Sequence, residues 1–201
     1  PNGEDYGGTD WNGDGVIGID SDQYIQITND GTVDVDLSNW TLDDTTSGGS
    51  ASCLIGELTI LAGESITFYR ADTEIALDYF DGDSAVLKDS SDAIQSVFNY
   101  PGNDSDWDRV YIAGANGLLE KADPNPATAQ GTCTVGEIDN SDGDNSGGGN
   151  SGGDNSGGGN SASVGEWSVS EDNYLGVKIS EILVSSSGED YDGVDLDGDG
   201  E

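Results

Sequence analysis

The chain has 201 residues, of which 41 are acidic and 5 basic, and its formal net charge is −36. The few Lys and Arg residues are scattered, so the sequence predicts no nucleic-acid partner and no binding to an anionic membrane surface. The chain has no histidine, which excludes Ser-His-Asp catalysis and zinc sites built on imidazole. Asp outnumbers Glu by 30 to 11. This excess favours turns and oxygen-ligated cations, above all Ca²⁺.

The first part of the chain alternates polar and apolar residues in short segments. These segments predict strands at 23–27, 33–37, 40–42, 58–61, 65–70, 85–88 and 93–100, separated by Gly, Asp and Asn turns. The alternation at 33–37 places Val33, Val35 and Leu37 toward the core and Asp34 and Asp36 toward solvent. Residues 72–77 are predicted to form at most one helical turn. The fold class predicted from this pattern is all-β, an antiparallel sandwich.

Composition divides the chain into three parts. Residues 1–137 form the predicted sandwich, and residues 138–163 are a linker rich in Gly, Ser, Asn and Asp. The linker contains a ten-residue repeat, GDNSGGGNSG at 143–152 followed by GDNSGGGNSA at 153–162. Residues 164–201 contain predicted strands at 165–169 and 176–184 and then a second acidic segment. No apolar run reaches the roughly 18 residues that a membrane span needs.

A longer repeat relates the two ends of the chain. Residues 188–200 match residues 3–15 at nine of thirteen positions, with an offset of 185 residues. The match includes Glu-Asp-Tyr in register with an Asp-x-[Asp/Asn]-Gly-Asp-Gly-like pattern. The sequence therefore predicts a chain that starts partway into one repeat unit and stops partway into the next. An N-terminus at Pro1, without an initiator Met or signal peptide, favours a mature or excised segment.

The repeated acidic segment has the spacing of an EF-hand-type calcium loop. Asp10, Asn12 and Asp14 stand at positions 1, 3 and 5, Gly15 at position 6, and the carbonyl of Val16 at position 7. Position 12 is Ser21, so Asp20 and Asp22, which lie on either side of it, are expected to supply the closing carboxylate. In the second copy the corresponding ligands are Asp195, Asp197 and Asp199, followed by Glu201. The alternative is an Asp/Asn/Gly turn without an ion.

Other residues that invite a functional interpretation are more simply structural. Asp34 and Asp36 are expected on a solvated strand face, and Asp81-Gly82-Asp83 reads as a hairpin turn. With 41 acids, carboxylate pairs suited to glycoside hydrolysis occur by chance, so no enzyme is predicted. The scarce cations Arg70 and Arg109 are expected against carboxylates.

The aromatic and sulfur-containing residues support a folded extracellular domain. Trp40 and Trp107 are predicted to pack in the core, and Trp11 to cap the acidic loop. Cys53 and Cys133 are the two cysteines, and they are expected to form one disulfide in an oxidising, extracellular setting. Two unrelated buried thiols are the alternative.

Several motifs together resemble the lamin tail domain family. They are Ile179-Ser180-Glu181-Ile182-Leu183, the acidic loop at 3–15, the strand 23–29, Asp-Leu-Ser-Asn-Trp-Thr-Leu-Asp-Asp at 36–44, the glycine turn and strand at 62–70, and the segment 100–109. The resemblance covers about residues 1–130 and the start of a second copy at 177–201. It implies an immunoglobulin-like β-sandwich that serves as a structural or interaction module. The family's first strand, however, is found only near the C-terminus of this chain.

This displaced strand raises three possibilities for assembly. The segment that contains Val177, Ile179, Ile182 and Val184 completes its own domain, inserts into a neighbouring subunit, or belongs to the next tandem domain. The favoured interpretation is a calcium-stabilised extracellular filament or surface assembly in which copies join head to tail. The main alternative is an accessory module of a secreted protein that binds protein or carbohydrate, so a glycan ligand stays open.

Overall fold

The computed structural model describes residues 9–44, 50–78, 82–101, 110–113, 119–135 and 176–184. Twelve strands and two one-turn helices lie in these ranges. The strands are β1 (Tyr24–Asn29), β2 (Val35–Asp36), β3 (Thr41–Asp43), β4 (Cys53–Ile55), β5 (Thr59–Ile60), β6 (Ser65–Tyr69), β7 (Gly82–Lys88), β8 (Ile94–Pro101), β9 (Val110–Ala113), β10 (Leu119–Ala122), β11 (Cys133–Val135) and β12 (Val177–Leu183). The helices are α1 (Ile19–Asp22) and α2 (Arg70–Thr73).

The strands form two five-stranded antiparallel sheets and one small strand pair. The first sheet has the order β10-β9-β12-β1-β6, the second has the order β11-β4-β3-β7-β8, and β2 pairs with β5. The prediction of an all-β, immunoglobulin-like sandwich is confirmed. The last strand in sequence, β12, lies at the centre of the first sheet.

The core lies between the two sheets and is built from the alternating residues of both. Ile25, Ile27 and Phe68 contribute from the first sheet, and Leu42, Leu87 and Phe98 from the second. Trp40 is buried, as predicted. The prediction for Val33 is wrong, because its side chain is 62% exposed. Strand β2 begins only at Val35, so Val33 belongs to the preceding turn. Its side chain therefore does not follow the alternation of side-chain directions along the strand.

The sandwich has two distinct ends, set by the direction of β1. At the acidic-loop end, β1 begins at Tyr24, preceded by residues 10–23, and α2 follows β6. At the turn end, β1 finishes at Asn29, beside the turns 30–34 and 61–64; Gly63 N donates to Asn29 O at 2.8 Å. Strand β12 runs the opposite way, with Val177 opposite Asn29 and Leu183 opposite Tyr24.

An extended segment covers the β6 edge of the first sheet. Thr67 N donates to Ala129 O at 2.9 Å, and Gly131 N donates to Thr67 O at 2.8 Å. On the same segment, Ala127 N donates to Gln26 Oε1 at 2.7 Å. These bonds satisfy backbone groups that an open strand edge would leave available to other chains.

Gly131 makes this covering segment possible, because a β-carbon there would overlap the ring of Phe68. The ring is 1% exposed and has little room to move. We expect Gly131→Ala to lower the free energy of unfolding by about 1–3 kcal/mol through overpacking. Gly56→Ala is the matched control, because a β-carbon at Gly56 meets no atom within 4 Å. Denaturant titration of both variants compares them, and equal losses would contradict the explanation.

Some local predictions need correction. Gly82 and Asp83 are the first residues of β7 and not part of a hairpin turn, because they pair with Pro101 and Tyr100 of β8. Asp81 lies outside the described residues, as do the predicted strand 165–169, Trp107 and Arg109. The predicted helical turn at 72–77 starts earlier, at Arg70. Arg70 Nη1 donates to Gln23 Oε1 at 3.2 Å, so an amide is one of its partners.

Candidate functional site

The acidic loop is curled around the carboxylate of Asp10. Asp10 Oδ1 accepts from Gly13 N at 2.7 Å and from Asp14 N at 3.1 Å, and Oδ2 accepts from Gly15 N at 2.9 Å. Gly13 and Gly15 have φ values of 77° and 86°, which glycine adopts without the steric cost of a β-carbon. The two glycines therefore allow the loop to close on its first acid.

Asn12, Asp14 and Ser21 form a second group inside the loop. Asn12 Nδ2 donates to Asp14 Oδ2 at 3.0 Å and to Ser21 Oγ at 2.9 Å, and Ser21 Oγ donates to Asp14 Oδ2 at 2.6 Å. Val16 N donates to Asp14 Oδ1 at 2.7 Å. The bond from Ser21, followed by those from Val16 and Asn12, lowers the pKa of Asp14. The residue at position 12 of the loop thus contacts the acid at position 5.

Asp22 supports the loop from beneath. Its carboxylate accepts from Trp11 N at 2.8 Å, Asn12 N at 3.3 Å and Gly18 N at 2.9 Å, and its side chain is fully buried. Burial raises the pKa of Asp22, while the three backbone donors lower it. Both carboxylate oxygens already accept hydrogen bonds from backbone N–H groups. The structure therefore gives Asp22 the role of a loop support.

The residues of the loop carry the oxygen donors that a hard cation prefers. Asp10, Asn12 and Asp14 place carboxylate and amide oxygens on alternate residues of an exposed curl, as oxygen-ligated Ca²⁺ sites do. Among the described residues, no three Asp, Glu or Cys side chains converge closely enough to hold a metal. Asp20 lies in α1. The second set, Asp195, Asp197, Asp199 and Glu201, lies outside the described residues.

Aromatic residues attach the acidic loop to the sheet. Tyr69 Oη donates to Trp11 O at 2.8 Å, and Tyr69 packs edge-on against Tyr24 with ring centroids 5.6 Å apart. Burial, followed by the charge of Asp22, raises the pKa of Tyr69 to about 12. The half-buried Trp11 packs against a cluster that includes Leu183 of β12. The loop and the end of β12 therefore contribute to the same apolar cluster.

Strand β12 is held on both sides by the rest of the sheet. It pairs with β1 from Val177 to Leu183 and with β9 from Glu181 to Leu183. Its core-facing side chains, which are Val177, Ile179 and Ile182 together with Val184, are all at most 1% exposed. The structure places this strand in the groove between β1 and β9 of its own chain. Pairing between subunits stays a prediction.

Two buried polar contacts fix the register of β12. Glu181 is 7% exposed, and its Oε1 accepts from Tyr24 Oη and, at 3.0 Å, from Asn125 N. Burial and then the Glu181 carboxylate raise the pKa of Tyr24, so the phenol stays a proton donor. A strand shifted by one residue would turn this carboxylate to the opposite face. Sequence reasoning did not single out Glu181, although an acid inside an apolar strand was a signal.

A bulge is the second feature that fixes the register of β12 against β1. Its register against β1 shifts between Glu181 and Ile179. Thr28 Oγ1 donates to the bulged Ser180 Oγ at 2.7 Å, and Ile179 N donates across the core to Ser96 Oγ at 3.1 Å. The buried Ser96 therefore gives a hydrogen-bond partner to the backbone N–H of Ile179, the residue just before the bulge.

A second group of acids lies where β3 meets β7. Asp44 is 2% exposed, and Ser50 N donates to its Oδ2 at 2.8 Å. Asp44 Oδ1 and Tyr100 Oη are buried without a hydrogen-bond partner in the described part of the chain. Burial, followed by the charges of Asp83, Asp78 and Asp44, raises the pKa of Tyr100. These acids destabilise one another when all are ionised.

Asp43, the neighbour of Asp44 in this group of acids, gives a prediction for the pH dependence of stability. Burial raises the pKa of Asp43 to about 6, so the folded state binds a proton more tightly than the unfolded state. We therefore expect the free energy of unfolding to fall as the pH rises from about 4 to 6. In Asp43→Asn this fall should be smaller, whereas in the exposed control Glu57→Gln it should be unchanged. Thermal melts across this range measure it, and identical slopes in all three proteins would refute the assignment.

The predicted disulfide between Cys53 and Cys133 is confirmed, with Cα atoms 5.5 Å apart. It joins β4 to β11 in the second sheet, which removes the alternative of two unrelated thiols. In the described part of the chain, no helix has the length and apolar character needed to cross a membrane.

The comparisons with known proteins agree with this architecture. The family model described as Lamin Tail Domain matches residues 5–113, more than half of the chain. The chain belongs to the lamin tail domain family. No curated protein and no solved structure matches it.

The lamin tail domain match contains the acidic loop and strands β1 to β9. Strand β12 lies outside the match, yet it occupies a central place in the sheet. Among the described residues, every aromatic side chain is buried or half-buried, and the exposed large apolar side chains are aliphatic. This part of the domain therefore offers no aromatic strip for stacking on sugars.

Proposed function

We propose that this lamin tail domain is a non-enzymatic structural subunit of an extracellular assembly. In the proposal, copies join head to tail when β12 of one copy fills the groove of the next, and Ca²⁺ bound at the acidic loop stiffens each junction. The observation that carries the proposal is the position of β12. It is central in the sheet, but its covalent connection to the preceding strands runs through residues 136–175.

The groove cannot stay empty without a large loss of stability. Four core side chains of β12 are at least 99% buried, and each such side chain contributes about 1.5–3 kcal/mol. Without β12, the facing edges of β1 and β9 would also lose their partners. A strand must therefore be supplied, and strand addition from another chain is a known way to supply it.

A neighbour's β12 would make the same contacts as the chain's own strand. The choice between the two is then set by concentration, because a strand on a tether of this kind has an effective concentration of about 1 mM. The proposal thus predicts an intramolecular form in dilute solution. It also predicts exchange where many copies are held together, as on a cell surface.

The calcium component rests on the acidic loop. We assign Asp10, Asn12, Asp14, the Val16 carbonyl and Asp20 as ligands, with Asp22 as their support. The second copy would use Asp195, Asp197, Asp199 and Glu201. Trp11 of the loop packs against the cluster that also holds Leu183 of β12, so an ion in the loop would stabilise the surroundings of the seated strand. The disulfide between Cys53 and Cys133 supports an oxidising, extracellular location.

Paired cysteines test the exchange of β12. Thr28 and Lys178 are partners across β1 and β12, and both are partly exposed. We expect a disulfide between chains when concentrated Thr28→Cys and Lys178→Cys proteins are unfolded, mixed and refolded under oxidising conditions. The double variant is the positive control, and Asp92→Cys mixed with Lys178→Cys is the negative control. If only the double variant cross-links, within one chain, the strand is not exchanged and the proposal fails.

Calcium titration tests the metal component. A ligand at 100 times its Kd stabilises the folded state by about 2.7 kcal/mol, so we expect Ca²⁺ to raise the Tm and a chelator to reverse the rise. Asp14→Asn should lose most of this response. Asp36→Asn is the matched control, since Asp36 is an exposed acid bonded to the nearby Ser38. A wild-type Tm that ignores both Ca²⁺ and chelator would remove calcium from the proposal.

A further inference from the structure

The segment that joins β11 to β12 begins at the acidic-loop end of the sandwich. Val135, at the end of β11, lies opposite Cys53 at the start of β4. Just before β4, Ser50 Oγ accepts from Ala76 N at 2.9 Å, which ties this corner to the residues after α2. Because α2 follows β6 at the acidic-loop end, the chain leaves the described fold at this end.

The chain re-enters the fold at the opposite end. Gly176, directly before β12, accepts from Asp30 N at 2.8 Å, and Asp30 follows β1 at the turn end. A β-carbon on Gly176 would lie 2.6 Å from Gly31 Cα, so the two backbones are in close contact. To fill its own groove, a chain must therefore pass along the whole sandwich, about 23 Å for seven strand residues.

We infer that strand exchange is polar, with the acidic-loop end of one copy docked on the turn end of the next. This inference rests on the proposed function. In such a pair, Val135 of the first copy faces the entrance to the groove of the second, and the connecting segment crosses only the interface. The partner at each end is a second copy of this chain.

Exposed apolar side chains at the two ends support this docking. At the acidic-loop end, Val16 and Ile17 are 57% and 42% exposed. At the turn end, Val33 and Leu61 are 62% and 46% exposed. Asn29 Nδ2 donates to Val33 O at 2.8 Å and to Ile60 O at 3.2 Å, which holds the two turn-end segments side by side. Burying these aliphatic pairs against each other would add contacts that the intramolecular form lacks.

The length of the connecting segment should decide between the two forms. Residues 136–175 number 40. A Gly/Ser-rich chain of this length has an r.m.s. span of about 35 Å, enough for either route. With six residues left, the span from Val135 to Gly176 is at most about 25 Å. The route within one chain runs about 23 Å along the strand and about 10 Å from one sheet to the other. It must go around the packed core and not through it, so it is longer than this span.

The experiment compares two deletions in the full chain by light scattering over a range of concentrations. Deletion of 139–172 leaves six connecting residues, and we expect folded head-to-tail oligomers even in dilute solution. Deletion of 153–162 is the control, and it should keep the dilute monomer. A folded monomer of the shorter variant would overturn the inference, and so would failure of that variant to fold at any concentration. Cross-linking of the full-length Thr28→Cys and Lys178→Cys pair distinguishes failure of this polarity from failure of exchange itself.

A substitution tests the docked ends separately. We expect Val33→Glu to raise the concentration needed for assembly of the shorter variant by about tenfold, which corresponds to 1.4 kcal/mol. Leu54→Glu is the matched control, because Leu54 is 42% exposed on β4 and belongs to neither of the two apolar pairs. Equal effects of the two substitutions would place the contact elsewhere and contradict the polar arrangement.

Discussion

Ile182→Ala is expected to lower the free energy of unfolding by about 2–5 kcal/mol, because it leaves a cavity at the centre of the core. Ile182 is fully buried and lies in β12, between β1 and β9. A loss of this size would be a large part of the stability of a domain of this length. Guanidinium denaturation followed by tryptophan fluorescence measures it.

Ile94→Ala is the control for this prediction, since it removes the same atoms from a side chain that is 48% exposed. We expect its effect to stay within about 1 kcal/mol. Comparable losses for the two variants would mean that β12 is not seated in the core in solution. The same measurement with Ile179→Ala, also fully buried, would show whether the whole strand contributes.

Removal of the disulfide is the second large effect. Cys53 and Cys133 are separated by 80 residues, and cross-linking a loop of this length stabilises the folded state by about 4–5 kcal/mol on the chain-entropy model. We expect the double variant Cys53→Ala/Cys133→Ala to lose a comparable amount. Reduction of the wild-type protein should lower its Tm in the same way.

The double variant provides its own control, because its Tm should not respond to a reducing agent. A loss below about 1 kcal/mol would show that the disulfide adds little constraint to the unfolded chain. Lowered stability of both reduced wild type and variant, with unchanged response to Ca²⁺, would separate the disulfide from the acidic loop. The disulfide joins strands of the second sheet, whereas the acidic loop is attached to the first sheet, so we expect their effects to be additive.

The sequence predicted most of the sheet because the core strands alternate. Strands β1, β6 and β8 bury residues at every second position or on both faces. The sequence pattern predicted the first and last residue of each of these strands to within two residues. Strands β4, β9, β10 and β11 were not predicted, since three or four residues such as Leu-Glu-Lys-Ala carry no clear period. The pairing of β12 with β1 and β9 depends on contacts between distant residues, which local patterns cannot specify.

The acidic loop was likewise predicted only in part. The spacing of Asp10, Asn12 and Asp14 predicted a curled loop, and the structure has one. The role of Asp22 could not be read from spacing, because it depends on burial beneath the backbone of Trp11 and Asn12. The partners of Glu181, which are Tyr24 and Asn125, likewise could not be predicted, since they are far away in sequence.

The antiparallel placement of β12 has a mechanical consequence. In the proposed assembly, tension along the axis pulls β12 lengthwise past β1 and β9. Antiparallel hydrogen bonds lie perpendicular to the strands, so such a pull shears all of them at once and does not peel them apart one by one. The Glu181 contact and the Ser180 bulge would resist sliding in the same direction. A fibre built in this way would therefore yield at high force while each joint remained non-covalent.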